Sequence, residues 1–402
     1  MTGPAALTLA AEAVVTPAAV LRPGWVEVRG GTITGVGAGE PLRAVDASWT
    51  SGALVPGFVD MHVHGGGGAS FGSASSREAL RAARWHRAQG STTMVASLVS
   101  APQPELVRQV SVLSELVQDG ELSGIHLEGP WLAAGKRGAH AAEALRDPQP
   151  ADIEQLLRAA RGTIRMVTLA PERPGAREAV RQLTEAGVAV AIGHTEADYE
   201  LTRQAIAAGA TVGTHLFNAM PAVHHRDPGP VPALLEDPRV TVELVADGLH
   251  LHPAVLRWVL RTAGAQRVAF VTDAMSAAGM DDGGYRLGGL SVEVRGGVAR
   301  LPEGSLAGST ATTPQLFAAA REASGEAVEA LGLASHLCST TPATALGLAD
   351  VGALDVGKRA DLVVVDDGGP RAVMKQGRWI PSELPGQGEG PPHGRASPST
   401  RR

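Results

Sequence analysis

Short runs of apolar and β-branched residues alternate with segments of helical length from Leu54 onward. Eight runs predict strands: LVPGFVDMHVH from Leu54, TTMVASLV from Thr92, GIHLEGP from Gly124, IRMVTLAPE from Ile164, VAVAIGHT from Val188, TVGTHLFNAM from Thr211, TVELVADGLH from Thr241 and VAFVTDAM from Val268. Such apolar strands are typical of parallel sheets that are covered on both faces. Eight repeats of a strand and a helix favour an α/β fold with a closed (β/α)8 TIM-type barrel, and an open doubly wound sheet is the alternative.

The segments between these runs predict helices. In SREALRAARWHRAQG, REAVRQLTEAG and YELTRQAIAAG, apolar residues recur at helical spacing and a glycine follows. The segment YRLGGLSVEVRGGVARL, which begins at Tyr285, instead predicts a hairpin over the mouth of the barrel. The connection from Pro314 to Leu348 is predicted to be helical.

The two ends of the chain have the alternating pattern of half-buried strands. It is present in WVEVRGGTITGV and again between Gly357 and Ile380. We therefore expect residues 1–54 and 349–380 to form one small β-sandwich domain beside a barrel domain of residues 55–348. The last residues, 381–402, are rich in Pro, Gly and Ser and predict a disordered tail.

Composition narrows the classes of partner and the cellular location. The chain has 35 Lys and Arg against 41 Asp and Glu, so no broad basic field is available for nucleic acid or an anionic membrane. The single cysteine, Cys338, excludes an internal disulfide framework. The N-terminal segment lacks the pattern of a signal peptide, and no uncharged apolar stretch of about 18 residues follows. We expect a cytoplasmic protein.

Polar side chains collect where the predicted strands end, which is where barrel enzymes place their catalytic groups. Imidazole nitrogens and carboxylate oxygens are ligands that zinc and similar divalent ions take. The set is large enough to hold two ions: His62 and His64 on strand 1, Glu128 on strand 3, His194 on strand 5, His215 on strand 6, Asp247 and His250 on strand 7, and Asp273 on strand 8.

His62 and His64 form the most informative pair of this set. Residues two apart on a strand point to the same face, so both rings can reach one ion. The glycines that follow, Gly65 to Gly68, would let the backbone pass close to a ligand.

Asp273 is the natural candidate for a general base. In a closed barrel the eighth strand lies beside the first, so Asp273 would face the two histidines. It would take a proton from a metal-activated water molecule and return it to a leaving amine.

Seven motifs follow one another in the order found in one enzyme family. They are PGFVDMHVHGGGG, HLEGPWL, GHTEA, THLFNAMP with RDPG after it, ADGLH, VTDAM and LAGST. Over roughly Leu54 to Asp361 the sequence resembles the N-acetylglucosamine-6-phosphate deacetylases of the amidohydrolase superfamily. The resemblance implies metal-dependent hydrolysis of N-acetylglucosamine 6-phosphate to glucosamine 6-phosphate and acetate, in amino-sugar catabolism and cell-wall recycling.

The resemblance also implies a role for each candidate ligand. Glu128, His194 and His215 match the family's metal ligands, and Asp273 matches its catalytic acid and base. His62 and His64 match ligands of a second metal that some members hold. One or two divalent ions per subunit are therefore expected, zinc first, with iron, cobalt and manganese as alternatives.

Further matches imply how the sugar is held. His140 matches a residue that hydrogen-bonds the substrate carbonyl and its developing oxyanion. Ala139 stands where a hydroxyl residue can occur, which puts one sugar contact in doubt. The substrate-binding matches are Ala139, His140, Asn218, Ala219, Asp247, His250, Leu306, Ala307 and Gly308.

Arg226 matches an arginine that reaches the neighbouring subunit's active site and pairs with the 6-phosphate, which implies a homodimer. A guanidinium binds phosphate well, through paired, charge-assisted hydrogen bonds. Lys136 and Arg137 could add positive charge, but the sequence does not assign them.

Three alternatives stay open at this stage. Related amidohydrolases often bridge two metals with a modified lysine after strand 4, but strand 4 ends here in LAPE and offers none. A deacetylase for another phosphorylated N-acetyl sugar is harder to exclude, because the sequence does not show which epimer of the sugar would bind. A non-catalytic scaffold is disfavoured because every proposed ligand is present.

Overall fold

A computed structural model of the chain describes residues 6–324 and 327–381. The predicted disordered tail lies outside the described residues, apart from Pro381. Within these residues, no helix is long and apolar enough to cross a membrane.

The centre of the molecule is a barrel of eight parallel strands, each paired with the next along the chain. The closing contact is made just beyond the last strand, where the Asp273 N–H donates to the His62 carbonyl at 2.9 Å and the His64 N–H donates to the Ala274 carbonyl at 2.8 Å. The closed barrel is therefore confirmed over the doubly wound alternative. The strands are β1 (Phe58–Val63), β2 (Ser91–Leu98), β3 (Gly124–Glu128), β4 (Ile164–Leu169), β5 (Ala189–Ile192), β6 (Ala210–Gly213), β7 (Thr241–Leu244) and β8 (Val268–Phe270).

A helix follows every barrel strand and buries its apolar side against the barrel. Side-chain caps start three of these helices: Ser75 accepts from the Glu78 N–H, Asp198 from the Leu201 N–H and His252 from the Ala254 N–H. The helices are α1 (Ser76–Ala88), α2 (Gln103–Gln118), α3 (Pro150–Ala160), α4 (Ala176–Glu185), α5 (Tyr199–Ala208), α6 (Pro230–Glu236), α7 (Pro253–Ala263) and α8 (Thr313–Ser324). The three helical segments predicted from sequence are confirmed as α1, α4 and α5.

The connection after α8 is helical, as predicted. It contains α9 (Ala327–Ser335), a π-helical turn (His336–Thr340) and α10 (Thr341–Ala345). Short 3₁₀ helices lie elsewhere in the loops, at Phe71–Ser73, Ala134–Lys136, Ala142–Ala144 and Ala265–Arg267.

The two chain ends pair with each other, as the sequence predicted, and their strands all belong to one sheet. Its strands are Leu7–Val15, Val20–Leu21, Gly24–Arg29, Thr32–Ala38, Ala47–Pro56, Leu362–Asp366, Gly369–Lys375 and Arg378–Trp379. Leu9, Val26, Leu362 and Met374 are fully buried in an apolar core of its own, separate from the barrel core. The exact domain boundaries at 54 and 348 stay a prediction.

The strand predicted from Leu54 is in fact two strands in two different sheets. Leu54 pairs with Val14 and Val364 in the end sheet, whereas β1 begins only at Phe58. Gly57 separates the two: a Cβ atom there would lie 2.2 Å from the Thr92 hydroxyl oxygen. The continuous apolar run hid this break because both strands are buried.

The predicted hairpin has a third strand. Gly283–Leu287, Leu290–Arg295 and Val298–Arg300 form an antiparallel sheet. A further two-stranded ribbon, Gly65–Gly66 with Ala69–Ser70, follows β1.

We expect Gly57→Ala to destabilise the protein by about 1–3 kcal/mol, because the added methyl group overlaps the buried Thr92 side chain. Urea denaturation measures the change, and the double variant Gly57→Ala/Thr92→Ala should recover part of it. Gly284→Ala is the control, since its Cβ meets nothing within 4 Å, and should change stability by less than about 0.5 kcal/mol. Simple additivity of the Gly57 and Thr92 changes would contradict the proposed overlap.

Candidate metal centre

The predicted polar residues meet at the C-terminal mouth of the barrel. Their ligand atoms form two groups, and within each group all atoms lie within 4.8 Å of one another. The first group is Glu128, His194 and His215, and the second is His62, His64 and Asp273, all of them buried.

Three of these side chains are aimed inward by an uncommon backbone conformation. His194, His215 and Asp273 lie two or three residues beyond the ends of their strands and have φ of 49°, 24° and 49°. A non-glycine residue at positive φ is disfavoured, by roughly 1–3 kcal/mol at a strained site. The barrel therefore stores backbone strain where it gathers its polar groups.

Glu128 is the residue that both groups share. Its Oε1 lies 3.1 Å from the Nε2 atoms of His194 and His215, and 3.4 Å from His62 Nε2. Its Oε2 lies 3.3 Å from His64 Nε2. One carboxylate thus faces ring nitrogens of both groups.

The donor set fits a divalent metal ion. The Nε2 atoms of His194 and His215 face each other at 3.0 Å, and those of His62 and His64 do so at 3.2 Å. Two ring nitrogens facing each other cannot both keep a proton there, and two lone pairs repel. Imidazoles facing each other with carboxylates between them match the ligand preferences of zinc and related metals.

The buried charges compensate one another. Burial opposes the ionised form of Glu128, but the nearby histidines, His62 foremost, outweigh it and hold its pKa well below the usual range. The pKa of Asp273 is lowered as well: burial opposes its ionised form, but His62 and His64 outweigh that effect. Burial also opposes the charged form of His64, but hydrogen bonds to Asp273 and Glu128 raise its pKa to about 9.

His140 is held as a neutral hydrogen-bond donor. Its Nδ1 accepts the Ser100 backbone N–H at 3.1 Å, so its proton must lie on Nε2. That Nε2 lies 3.2 Å from Glu128 Oε2. Burial lowers the pKa of His140 to about 4, which keeps the ring neutral at physiological pH.

A cavity of about 360 Å³ opens beside these groups, within the range of small-molecule sites. It brings together most of the predicted site residues. Those that line it are His64, Glu128, Ala139, His140, His194, His215, Asn218, Ala219, His250, Asp273, Leu306 and Gly308.

Four predicted residues are absent from the lining. His62 is buried behind it, and Ala307 is buried with its N–H bonded to the Ala299 carbonyl. Asp247 contacts His250 instead, with Oδ2 2.8 Å from Nδ1. Arg226 lies on an exposed loop next to His225.

Several residues of the site were not predicted from the sequence or had no role assigned to them. Lys136 lines the cavity, and its Nζ donates to the Met220 carbonyl at 3.2 Å, whereas the exposed Arg137 does not line it. Leu287 and Ser305 add a wall that local sequence did not indicate. Glu243 contacts His62. The sequence does contain a sign of this role, because Glu243 is a charged residue inside the apolar strand TVEL.

The expectation for Gly65 to Gly68 is corrected. These glycines do not line the cavity. A Cβ on Gly67 would lie 2.7 Å from the Trp85 ring, and the Gly67 and Gly68 N–H groups donate to the carbonyls of Ala278 and Ser276. The glycine run therefore lets the chain pass under Trp85 and bond to the segment after β8.

Comparison with known proteins places these features in a family. A family model described as "Amidohydrolase family" matches residues 53–380. An N-acetylgalactosamine-6-phosphate deacetylase from Escherichia coli O157:H7 is 37% identical over 355 residues, which cover 86% of this chain and 91% of that protein. An N-acetylglucosamine-6-phosphate deacetylase from Bacillus subtilis is 35% identical over 373 residues, or 88% of this chain and 91% of that one.

Solved structures agree with this result. A mutant of N-acetyl-D-glucosamine-6-phosphate deacetylase from Mycobacterium smegmatis, in complex with N-acetyl-D-glucosamine-6-phosphate, is 50% identical with a TM-score of 0.92. The match covers 94% of this chain and 99% of that one. The chain therefore belongs to the amidohydrolase family and, within it, to the N-acetylglucosamine-6-phosphate deacetylases.

Proposed function

We propose that this protein hydrolyses the amide bond of N-acetylglucosamine 6-phosphate and releases glucosamine 6-phosphate and acetate, as an enzyme of amino-sugar catabolism and cell-wall recycling. The observation that carries the proposal is the Glu128 cluster, which opens into a cavity beside a neutral His140 donor. The 50% identity to a deacetylase solved with this sugar phosphate supports the choice of substrate. The cytoplasmic location stays a prediction.

Glu128, His194 and His215 would hold one divalent ion, and His62 and His64 with Asp273 would hold a second. Zinc is the first choice for these ligands, and iron, cobalt or manganese are alternatives. When bound, such an ion supplies Lewis-acid chemistry: it polarises the acetyl carbonyl and lowers the pKa of water to about 7.

Asp273 would move the proton. Its carboxylate would accept a proton from the attacking water. It lines the cavity and can then pass that proton to the leaving amine. No covalent bond to the protein is needed.

His140 would stabilise the negative charge that develops on the carbonyl oxygen. Its proton is fixed on Nε2 by the Ser100 N–H bond, so the donor is set before substrate arrives. A donor that needs no reorientation is worth more in a water-poor site.

The remaining lining residues would hold the sugar. Asn218, Ala219, Leu306 and Gly308 lie along the cavity wall with Ala139 and His250. Asp247 would act through His250, which it contacts, and Ala307 by positioning its neighbours.

We propose that the phosphate is bound from two directions. Lys136 lines the cavity of its own chain, and one hydrogen bond to Met220 leaves its ammonium with further donors. Arg226 lies on an exposed loop and would reach the active site of a second subunit, which makes the enzyme a homodimer.

The second candidate substrate is N-acetylgalactosamine 6-phosphate. A relative with 37% identity carries that name, and the epimers differ at one hydroxyl group. Acetate release from the two sugars under equal conditions decides between them.

We expect Asp273→Asn to lower kcat for acetate release by about 10²–10⁴, because the amide cannot take up the proton. Metal content, measured by mass spectrometry, should be checked in parallel, since Asp273 belongs to a proposed ligand group. Asp281→Asn, an exposed aspartate, is the matched control. Full activity of Asp273→Asn with metal bound would contradict the role of the base.

We expect Lys136→Met to raise KM for the phosphorylated sugar by about 10- to 100-fold, since a hydrogen bond to a charged group is lost. Turnover of unphosphorylated N-acetylglucosamine should not change. Arg137→Met, one residue away and outside the cavity, should behave as wild type. Equal effects of the two variants would refute a specific contact with Lys136.

We expect the Arg226→Ala variant to lose its preference for the phosphorylated sugar. Activity on that sugar should return when this variant is mixed with Asp273→Asn. In a mixed dimer one site has an intact Asp273 and receives Arg226 from its partner. Random mixing should restore about a quarter of the sites. Size-exclusion chromatography should confirm exchange of subunits, and exchange without recovery would rule out a shared site.

A further inference from the structure

Glu243 is a carboxylate enclosed by the barrel wall. It lies in β7 between Val242 and Leu244, and all three side chains are fully buried. A buried charge is costly unless it is paired and hydrogen-bonded. The partners of Glu243 therefore indicate what it does.

Those partners come from both ligand groups. Glu243 Oε2 lies 3.0 Å from His62 Nδ1, and the same oxygen accepts the backbone N–H of His215 at 3.2 Å. The Glu243 carbonyl also accepts the Leu216 N–H at 2.9 Å. Residues 215 and 216 are thus held against β7 where the φ of His215 is 24°.

The contact with His62 sets the position of the ring proton. A carboxylate oxygen accepts hydrogen bonds, so Glu243 Oε2 favours a proton on His62 Nδ1, 3.0 Å away. His62 Nε2, which faces His64 Nε2 at 3.2 Å and Glu128 Oε1 at 3.4 Å, is then the ring nitrogen left for a metal ion. This is the form in which an imidazole binds a metal.

The Nδ1 atoms of His194 and His215 have weaker hydrogen-bond partners than that of His62. His194 Nδ1 lies 2.8 Å from the main-chain carbonyl of Lys136. His215 Nδ1 is buried and has no hydrogen-bond partner among the described residues. A carboxylate behind a histidine orients the ring and raises its basicity more strongly than a neutral carbonyl does.

We propose that Glu243 is a positioning residue of the metal centre. It fixes His62 with its proton on Nδ1 and so sets the affinity of the His62, His64 and Asp273 group for a divalent ion, while its contact with the His215 N–H ties this group to the neighbouring one. This inference rests on the proposed metal-dependent function. It adds a residue that touches neither the substrate nor the ion.

The test compares zinc binding by the metal-free forms of wild type, Glu243→Leu and Glu243→Gln, by calorimetry and chelator competition. Leucine keeps most of the volume but accepts no hydrogen bond, whereas glutamine keeps an acceptor oxygen without the charge. We expect two equivalents in wild type. Glu243→Leu should weaken one of them by about 10- to 100-fold, and Glu243→Gln should weaken it less.

Thr93→Val is the matched control. Thr93 is buried in β2 and its hydroxyl has no hydrogen-bond partner among the described residues. Its replacement perturbs the barrel without touching a ligand, so both zinc affinities should stay at the wild-type value.

The position of the His62 proton gives a readout that does not depend on activity. Long-range ¹H–¹⁵N spectra of zinc-loaded, histidine-labelled wild type should show the His62 proton on Nδ1 and none on Nε2. A His62 ring with its proton on Nε2 would overturn the inference even if Glu243→Leu does not fold. Unchanged affinities in a folded Glu243→Leu would overturn it while leaving the proposed function intact. A wild type that binds no zinc would overturn both.

Discussion

The site depends on one buried carboxylate. Glu128 lies within 3.4 Å of a ring nitrogen of five histidines, and those histidines come from four different parts of the barrel mouth. A charge at this depth is stable only if its partners surround it. The barrel must therefore bring β1, β5 and β6 and the loop after β3 to the same point, which its closure does.

The geometry of the ligands is supported by a second layer of contacts. Glu243 lies behind His62, the Lys136 carbonyl lies behind His194, and the Ser100 N–H fixes His140. These contacts leave the Nε2 atom of each ring facing Glu128. They explain how side chains on separate strands present lone pairs or protons in the arrangement that amide hydrolysis needs.

The parts outside the barrel complete the site in different ways. Leu287 from the three-stranded insert and Leu306 beyond it close one side of the cavity. The end sheet has its own core and joins β1 at Gly57, where a side chain would collide with Thr92. The cavity wall and the junction between the end sheet and the barrel are thus formed by separate segments of the chain.

The sequence by itself determined the barrel and the paired chain ends, and it indicated the polar residues at the strand ends, because strand periodicity and polar residues at strand ends are local signals. It did not determine that Leu54 and Phe58 belong to different sheets, since both lie in one apolar run. It also could not show that Asp247 contacts His250 or that Lys136, rather than Arg137, faces the cavity. Those facts depend on which distant residues meet when the barrel closes, and only the tertiary structure decides that.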